Sequence, residues 1–229
     1  MITLHEIGLG GAAFIDTAFD VFCLANRRAA AIIRGLHGFA KGIFGMVYDR
    51  IVMDSGQIGR CVERLAGEIS AAYRAEDDLL AVVVLEGAAR FAADLLGRVI
   101  PAAEVVFVRA ASYHGGVAST GTVTVQGDLF GKIPGRKVLI IDDIYDTGRT
   151  LDAIVQAVSR HRPADVKTCV LLEKDRPHEV SVAVDFVGSR VEDAFLIGYG
   201  LDYEGRYRDL PFIAAATPVA DPKCGPSPS

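Results

Sequence analysis

The sequence predicts an α/β fold with a mainly parallel central sheet flanked by helices. Three observations carry this expectation. From about Tyr48 onward, short apolar runs alternate with segments of helical periodicity. The run Leu79–Leu85 (LLAVVVL) holds no polar residue, as a strand buried on both faces requires. The run Val138–Ile141 (VLII) ends on two consecutive acids, where a buried strand emerges from the core.

The elements follow in order. Residues 54–74 predict a helix, with Asp54 or Ser55 as N-cap and an apolar stripe of Ile58, Cys61, Val62, Leu65 and Ile69. After the strand Leu79–Leu85, Glu86-Gly87 breaks the run and residues 88–98 predict a helix. Val105–Val108 is a strand. Residues 112–125 (SYHGGVASTGTVTV) are rich in Gly, Ser and Thr and read as a mobile loop folding into a hairpin. Strand Val138–Ile141 leads to a helix from about Thr150 to His161. Thr168–Leu172, Val184–Val187 and Phe195–Ile197 complete the strands. The proline-rich tail is expected to be disordered from residue 215 to 229.

Residues 1–47 differ in composition. Phe14, Ala18, Val21, Phe22 and Ala25 fall at helical spacing, so a helical extension is expected there. It reads as an appendage packed on the core or on a second subunit. Arg27, Arg28 and Arg34 leave a membrane-surface or partner-binding helix as the alternative.

Charge and cysteine content exclude several classes. The 229 residues carry a net charge of −5, which gives no basis for sequence-independent nucleic-acid binding. Charged residues interrupt every apolar stretch near the N-terminus, below the roughly 18–20 residues a spanning helix needs. No membrane partner is expected. Cys23, Cys61, Cys169 and Cys224 are far apart and form no C-x-x-C pair, so a reducing, cytoplasmic compartment is the expectation.

The chemistry is concentrated in VLIIDDIYDTGRTLDAIVQAV, residues 138–158. A buried strand delivers Asp142 and Asp143. The turn Asp146-Thr147-Gly148-Arg149-Thr150 follows, then an amphipathic helix. Backbone N–H groups at a helix N-terminus, aided by the helix dipole, stabilise a phosphate. Gly148 permits a tight turn and close backbone approach, and Thr147 and Thr150 add hydroxyl donors. Adjacent carboxylates are costly unless solvated, paired or bound to a cation, and they can accept hydrogen bonds from sugar hydroxyls. An ordinary α/β turn with acidic helix caps remains the structural alternative.

This stretch resembles the phosphoribosyl pyrophosphate (PRPP) signature of the type I phosphoribosyltransferases. From about Tyr48 to Ile213 the chain looks like the bacterial hypoxanthine or hypoxanthine-guanine branch. The resemblance implies a type I phosphoribosyltransferase fold with a small hood over the active site, a phosphoribosyltransferase domain over 48–214, and a homo-oligomer, dimer or tetramer. It implies transfer of a phosphoribosyl group from PRPP to a 6-oxopurine with magnesium as cofactor. Asp142, Asp143 and the 146–150 turn would bind the substrate's ribose phosphate, and Gly87 and Arg208 its pyrophosphate. Asp146 would be the general base, and Ser112-Tyr113 would open the active-site flap. Lys174 would donate to the purine 6-oxo group, Phe195 would stack on the base, and the Leu196 backbone would meet its edge. Asp202 would lie at the base site as a metal-associated carboxylate, with Asp142 and Asp143 as the other metal-associated acids.

Two departures stand out. Leu85-Glu86-Gly87 replaces the Leu-Lys-Gly usual in the family, and an acid pointing inward there opposes pyrophosphate. The Glu86 side chain is expected to point away or to contact another subunit, with Arg90 a candidate to compensate. Asp142-Asp143 replaces the commoner Glu-Asp. A nucleotide-sensing regulator on the same scaffold is the second functional reading, and an enzyme acting on adenine or a pyrimidine the third.

Overall fold

The computed structural model describes residues 46–109 and 129–218. The predicted helix within 1–47 and the 112–125 loop lie outside the described residues. Tyr48–Val219 forms one compact unit.

Five parallel strands form the central sheet: β2 (Leu79–Leu85), β3 (Glu104–Arg109), β4 (Lys137–Tyr145), β5 (Asp165–Lys174) and β6 (Phe186–Val191), in the order β3-β2-β4-β5-β6. A smaller sheet, order β1-β8-β7, joins β1 (Met46–Met53), β8 (Ile213–Pro218) and β7 (Leu196–Ile197). Four helices accompany them among the described residues: α1 (Ser55–Ala72), α2 (Ala88–Leu96), the short α3 (Leu129–Lys132) and α4 (Arg149–Ser159).

Strand periodicity divides the core into two layers. Leu79, Ala81 and Val83 of β2 pack with Leu139, Ile141 and Cys169 against α1, α2 and the small sheet, through Leu65, Phe91, Leu196 and Ile213. Leu80, Val82 and Val84 face the other way, toward Leu129, Leu151, Ile154 and Val158 of α3 and α4. Asp54 caps α1 in a reciprocal pair with Gln57, which selects it over Ser55. Among the described residues no helix is long and apolar enough to cross a membrane.

The structure departs from three sequence expectations and adds one strand. β8 runs to Pro218, so the disordered tail does not begin at residue 215; Ala214 and Ala215 are buried and pair with Ile197 and Leu196. β1 was not anticipated, because Asp49 and Arg50 interrupt its apolar pattern. β6 begins two residues later than expected and includes Gly188, Ser189 and Arg190, because an edge strand tolerates polar residues. β4 extends to Tyr145, so Asp142 and Asp143 lie within the strand rather than beyond it.

Candidate active site

The chain leaves β2, crosses to β3 on one side, then returns to β4 on the other. The strand order therefore reverses between β2 and β4. Ligands of open α/β sheets bind in the crevice at the carboxyl ends of such neighbours. A cavity of about 570 Å³ lies there, lined by Glu86 and Gly87 after β2, by Asp142–Gly148 and Thr150, and by Asp202 and Arg208.

Asp142 and Asp143 form its floor. Asp142 is buried, and its Oδ1 accepts from the Asp143 N–H at 2.9 Å; Asp143 Oδ1 accepts from the Ile144 N–H at 2.9 Å. Burial, then the neighbouring Asp143 carboxylate, pushes the Asp142 carboxyl well above the usual range. Burial also raises Asp143, against the hydrogen bonds it accepts. Gly87 packs against this pair: a Cβ at that position would lie 1.6 Å from Asp143 Oδ2. The preceding Leu85–Glu86 peptide is cis.

The turn at one end of the cavity is held from behind by the chain that follows β5. Val180 N–H donates to the Thr147 carbonyl at 3.0 Å, and Tyr145 OH donates to the Val180 carbonyl at 3.1 Å. His178 stacks on Tyr145 with ring centroids 4.0 Å apart, and its Nδ1 meets the Asp146 carbonyl. Gly148, at φ 84°, is the N-cap of α4; a Cβ there would sit 2.0 Å from the Val180 carbonyl oxygen. The Arg149 side chain pairs with Glu179. The start of α4 thus borders the cavity, with Thr147 and Thr150 in its lining, an arrangement suited to a phosphate.

At the other end, Arg208 Nη2 lies 2.9 Å from Asp202 Oδ1 and 3.6 Å from Glu86 Oε2, and Nη1 donates to the Gly200 carbonyl at 2.6 Å. Asp202 Oδ2 accepts from the Gly205 N–H. Glu86 also pairs with Arg109 at 2.9 Å. Arg90 does not compensate for Glu86: its Nη1 donates to the carbonyls of Asp209 and Leu210, and its guanidinium covers the Tyr199 ring.

Lys174, Phe195 and Leu196 lie outside the lining of this cavity, and Lys174 connects to it through Asp146. Lys174 Nζ is 2.9 Å from Asp146 Oδ2 and 3.2 Å from Asp193 Oδ1. Arg176 Nη1 is 3.4 Å from the other oxygen of each acid, which closes a four-residue ring of alternating charge. The Phe195 ring is 44% exposed and meets the edge of Tyr203 at a centroid distance of 5.9 Å. Leu196 buries its side chain in the core and pairs with Ala215. Ser112 and Tyr113 lie outside the described residues.

Sequence reasoning missed Arg176, Asp193, Arg109 and His178. Arg176 and Asp193 stand two residues from Lys174 and Phe195 respectively, and Arg109 ends a strand, so nearness to the motifs was the available signal.

An open parallel sheet with a helix start and paired acids lining a crevice at its strand-order reversal defines an α/β protein with a site chemically suited to a phosphorylated ligand. Residues 51–204 match the family described as a phosphoribosyl transferase domain. The chain belongs to that phosphoribosyltransferase family. It is 36% identical over 171 residues to the hypoxanthine-guanine phosphoribosyltransferase of Bacillus subtilis, covering 75% of this chain and 94% of that one. It is 37% identical over 169 residues to the bifunctional protein TilS/HprT of Listeria innocua, covering 74% of this chain but spanning only 26% of that relative's length. Among solved structures, a hypoxanthine phosphoribosyltransferase from Staphylococcus aureus superposes with a TM-score of 0.69 at 32% identity, covering 74% of this chain and 92% of that one.

Proposed function

We propose that the chain is a purine-salvage enzyme that transfers the 5-phosphoribosyl group of PRPP to a 6-oxopurine, hypoxanthine or guanine. The products are inosine or guanosine monophosphate and pyrophosphate. One observation carries the reading: a single cavity joins a helix start, the buried Asp142 beside the half-buried Asp143, and an arginine, in the order that a phosphate, a ribose and a pyrophosphate require. The named activities of the Bacillus subtilis and Staphylococcus aureus relatives support the choice of base.

In this reading the 5-phosphate occupies the 146–150 turn, and the ribose hydroxyls meet Asp142 and Asp143. Arg208 and the backbone at Gly87 hold the pyrophosphate. Asp146 accepts the base's proton as the bond to C1 of the ribose forms and the pyrophosphate leaves. Lys174 donates to the 6-oxo oxygen, Phe195 stacks on the ring with Asp202 nearby, and the Leu196 backbone borders its edge. Ser112 and Tyr113 belong to a flap that keeps water out.

The acids also fit magnesium. Burial pushes up both Asp142 and Asp143, and the Asp143 carboxylate raises Asp142 further, a state that a cation relieves. Among the described residues no group of three or more His, Cys, Asp or Glu is arranged to hold a metal; magnesium in phosphate sites is held by one or two carboxylates together with substrate phosphates and water. Asp142, Asp143 and Asp202 would hold it, directly or through water, and it would neutralise charge on the leaving pyrophosphate.

The enzyme unit runs from about residue 48 through β8, acts as a homo-oligomer and works in the cytoplasm. The buried thiols Cys61 and Cys169, both free, suit a reducing compartment.

The test is product formation from PRPP and magnesium with hypoxanthine, guanine, xanthine and adenine in turn. Turnover of a 6-oxopurine with adenine far behind is expected. Nucleotide binding without product from any base would instead support the regulator.

A further inference from the structure

We infer that Glu86 acts as an internal stand-in for pyrophosphate, and that Arg109 is a second pyrophosphate-binding residue that Glu86 holds beside Arg208. This rests on the proposed function and deepens it at the leaving-group end of the cavity.

Glu86 follows β2 and lines the cavity next to Gly87. Its two carboxylate oxygens reach different arginines: Oε1 lies 2.9 Å from Arg109 Nη1, and Oε2 lies 3.6 Å from Arg208 Nη2. Arg208 arrives from the segment between β7 and β8. Arg109 is the last residue of β3 and stands level with Leu85 across the parallel ladder, so the sheet register brings it to the same strand ends. One carboxylate of the cavity lining thus gathers two guanidiniums from distant segments: Arg208 within the lining and Arg109 outside it. Two guanidiniums converging on paired oxygens is the pattern that phosphates select.

The charges decide the sign of the effect. Asp202 already occupies Arg208 Nη2 at 2.9 Å, so Glu86 is a second acid on the same group. Pyrophosphate entering there displaces the Glu86 carboxylate from both arginines and meets its repulsion. Glu86 is half-exposed and can swing into solvent, so the exchange is reversible. Glu86 therefore lowers pyrophosphate affinity, and Arg109 raises it.

The test is calorimetric titration of the full chain with inorganic pyrophosphate in magnesium, and separately with inosine monophosphate, which carries no pyrophosphate. Glu86→Gln is expected to tighten pyrophosphate, and Arg109→Ala to weaken it, each by about five- to tenfold, given the partial exposure of these side chains. Arg109→Lys should recover part of the loss. Inosine monophosphate affinity should stay within about twofold for all three. Unchanged or weaker pyrophosphate binding in Glu86→Gln, or unchanged binding in Arg109→Ala, overturns the inference. Equal movement of inosine monophosphate overturns it too, because the pair would then act on the fold. A wild-type chain that binds neither ligand sinks the functional reading itself, a result distinct from failure of this inference alone.

Discussion

Lys174 Nζ stands 2.9 Å from Asp146 Oδ2, and this contact joins the lysine expected at the base to the acid expected at the sugar. The Lys174 side chain is only 12% exposed and Asp193 holds it from the other side. The two groups are thus positioned by each other before any base arrives.

Asp146→Asn should lower kcat by about 10²–10⁴-fold, the range for a lost general base. The amide keeps the shape, so inosine monophosphate should still bind. Steady-state kinetics with hypoxanthine, paired with nucleotide titration, checks both halves. Unchanged turnover would remove Asp146 from this role.

Lys174→Ala should cost a 6-oxopurine about 1.5–3 kcal/mol in kcat/KM, as expected for losing a charged hydrogen-bond donor. Adenine has no 6-oxo oxygen and should lose far less. Comparing hypoxanthine and adenine in the same variant gives the answer; an equal loss contradicts the assignment.

Asp142→Asn should stabilise the ligand-free protein while weakening PRPP binding. The folded-state carboxyl is raised above its unfolded value by burial, then by Asp143. Ionisation therefore costs stability once the pH exceeds the unfolded value of about 4, and the cost disappears below it. Asparagine keeps an acceptor for the Asp143 N–H and removes that cost. A melting-temperature gain of about 2–6 °C is expected at pH 7.5, vanishing near pH 4. No gain at pH 7.5 would mean the pair is not strained by its burial.

Gly87→Ala places a Cβ where Asp143 Oδ2 now lies, and the floor of the site must shift. A loss of about 1–3 kcal/mol in stability is expected, with PRPP affinity falling in parallel. Gly59→Ala is the contrast. That glycine is exposed within α1 with no atom near its missing Cβ, so alanine should add about 0.4–1 kcal/mol. Denaturant melts of the two variants should move in opposite directions.

Much of the fold was legible because its signals are local. Leu79–Leu85 is a strand with the predicted bounds, since an uninterrupted apolar run between a charged stretch and Glu86-Gly87 leaves little choice. Asp54 and the Ile58–Ile69 stripe specify α1 in the same way. β1 and β8 were harder. Asp49 and Arg50 break one pattern, and the alanines of Ile213–Pro218 have weak strand preference beside a proline-rich tail. Both strands exist because they pair with each other in the small sheet, a partner no local window contains.

The candidate site divides along the same line. Residues 142–150 are contiguous, so a strand, a turn with Gly148 and a helix start bring two acids beside an open helix N-terminus through backbone geometry alone. That much the amino-acid order determined, along with the parallel sheet that buries Leu79–Leu85 and Val138–Ile141. Only the tertiary structure decided that Glu86 meets Arg109 and Arg208, that Arg90 turns to the Asp209 and Leu210 carbonyls, and that Arg176 and Asp193 close a ring around Lys174 and Asp146. Those partners come from different strand ends. Charge attraction has no sequence period, so they meet only where sheet register and loop packing carry them.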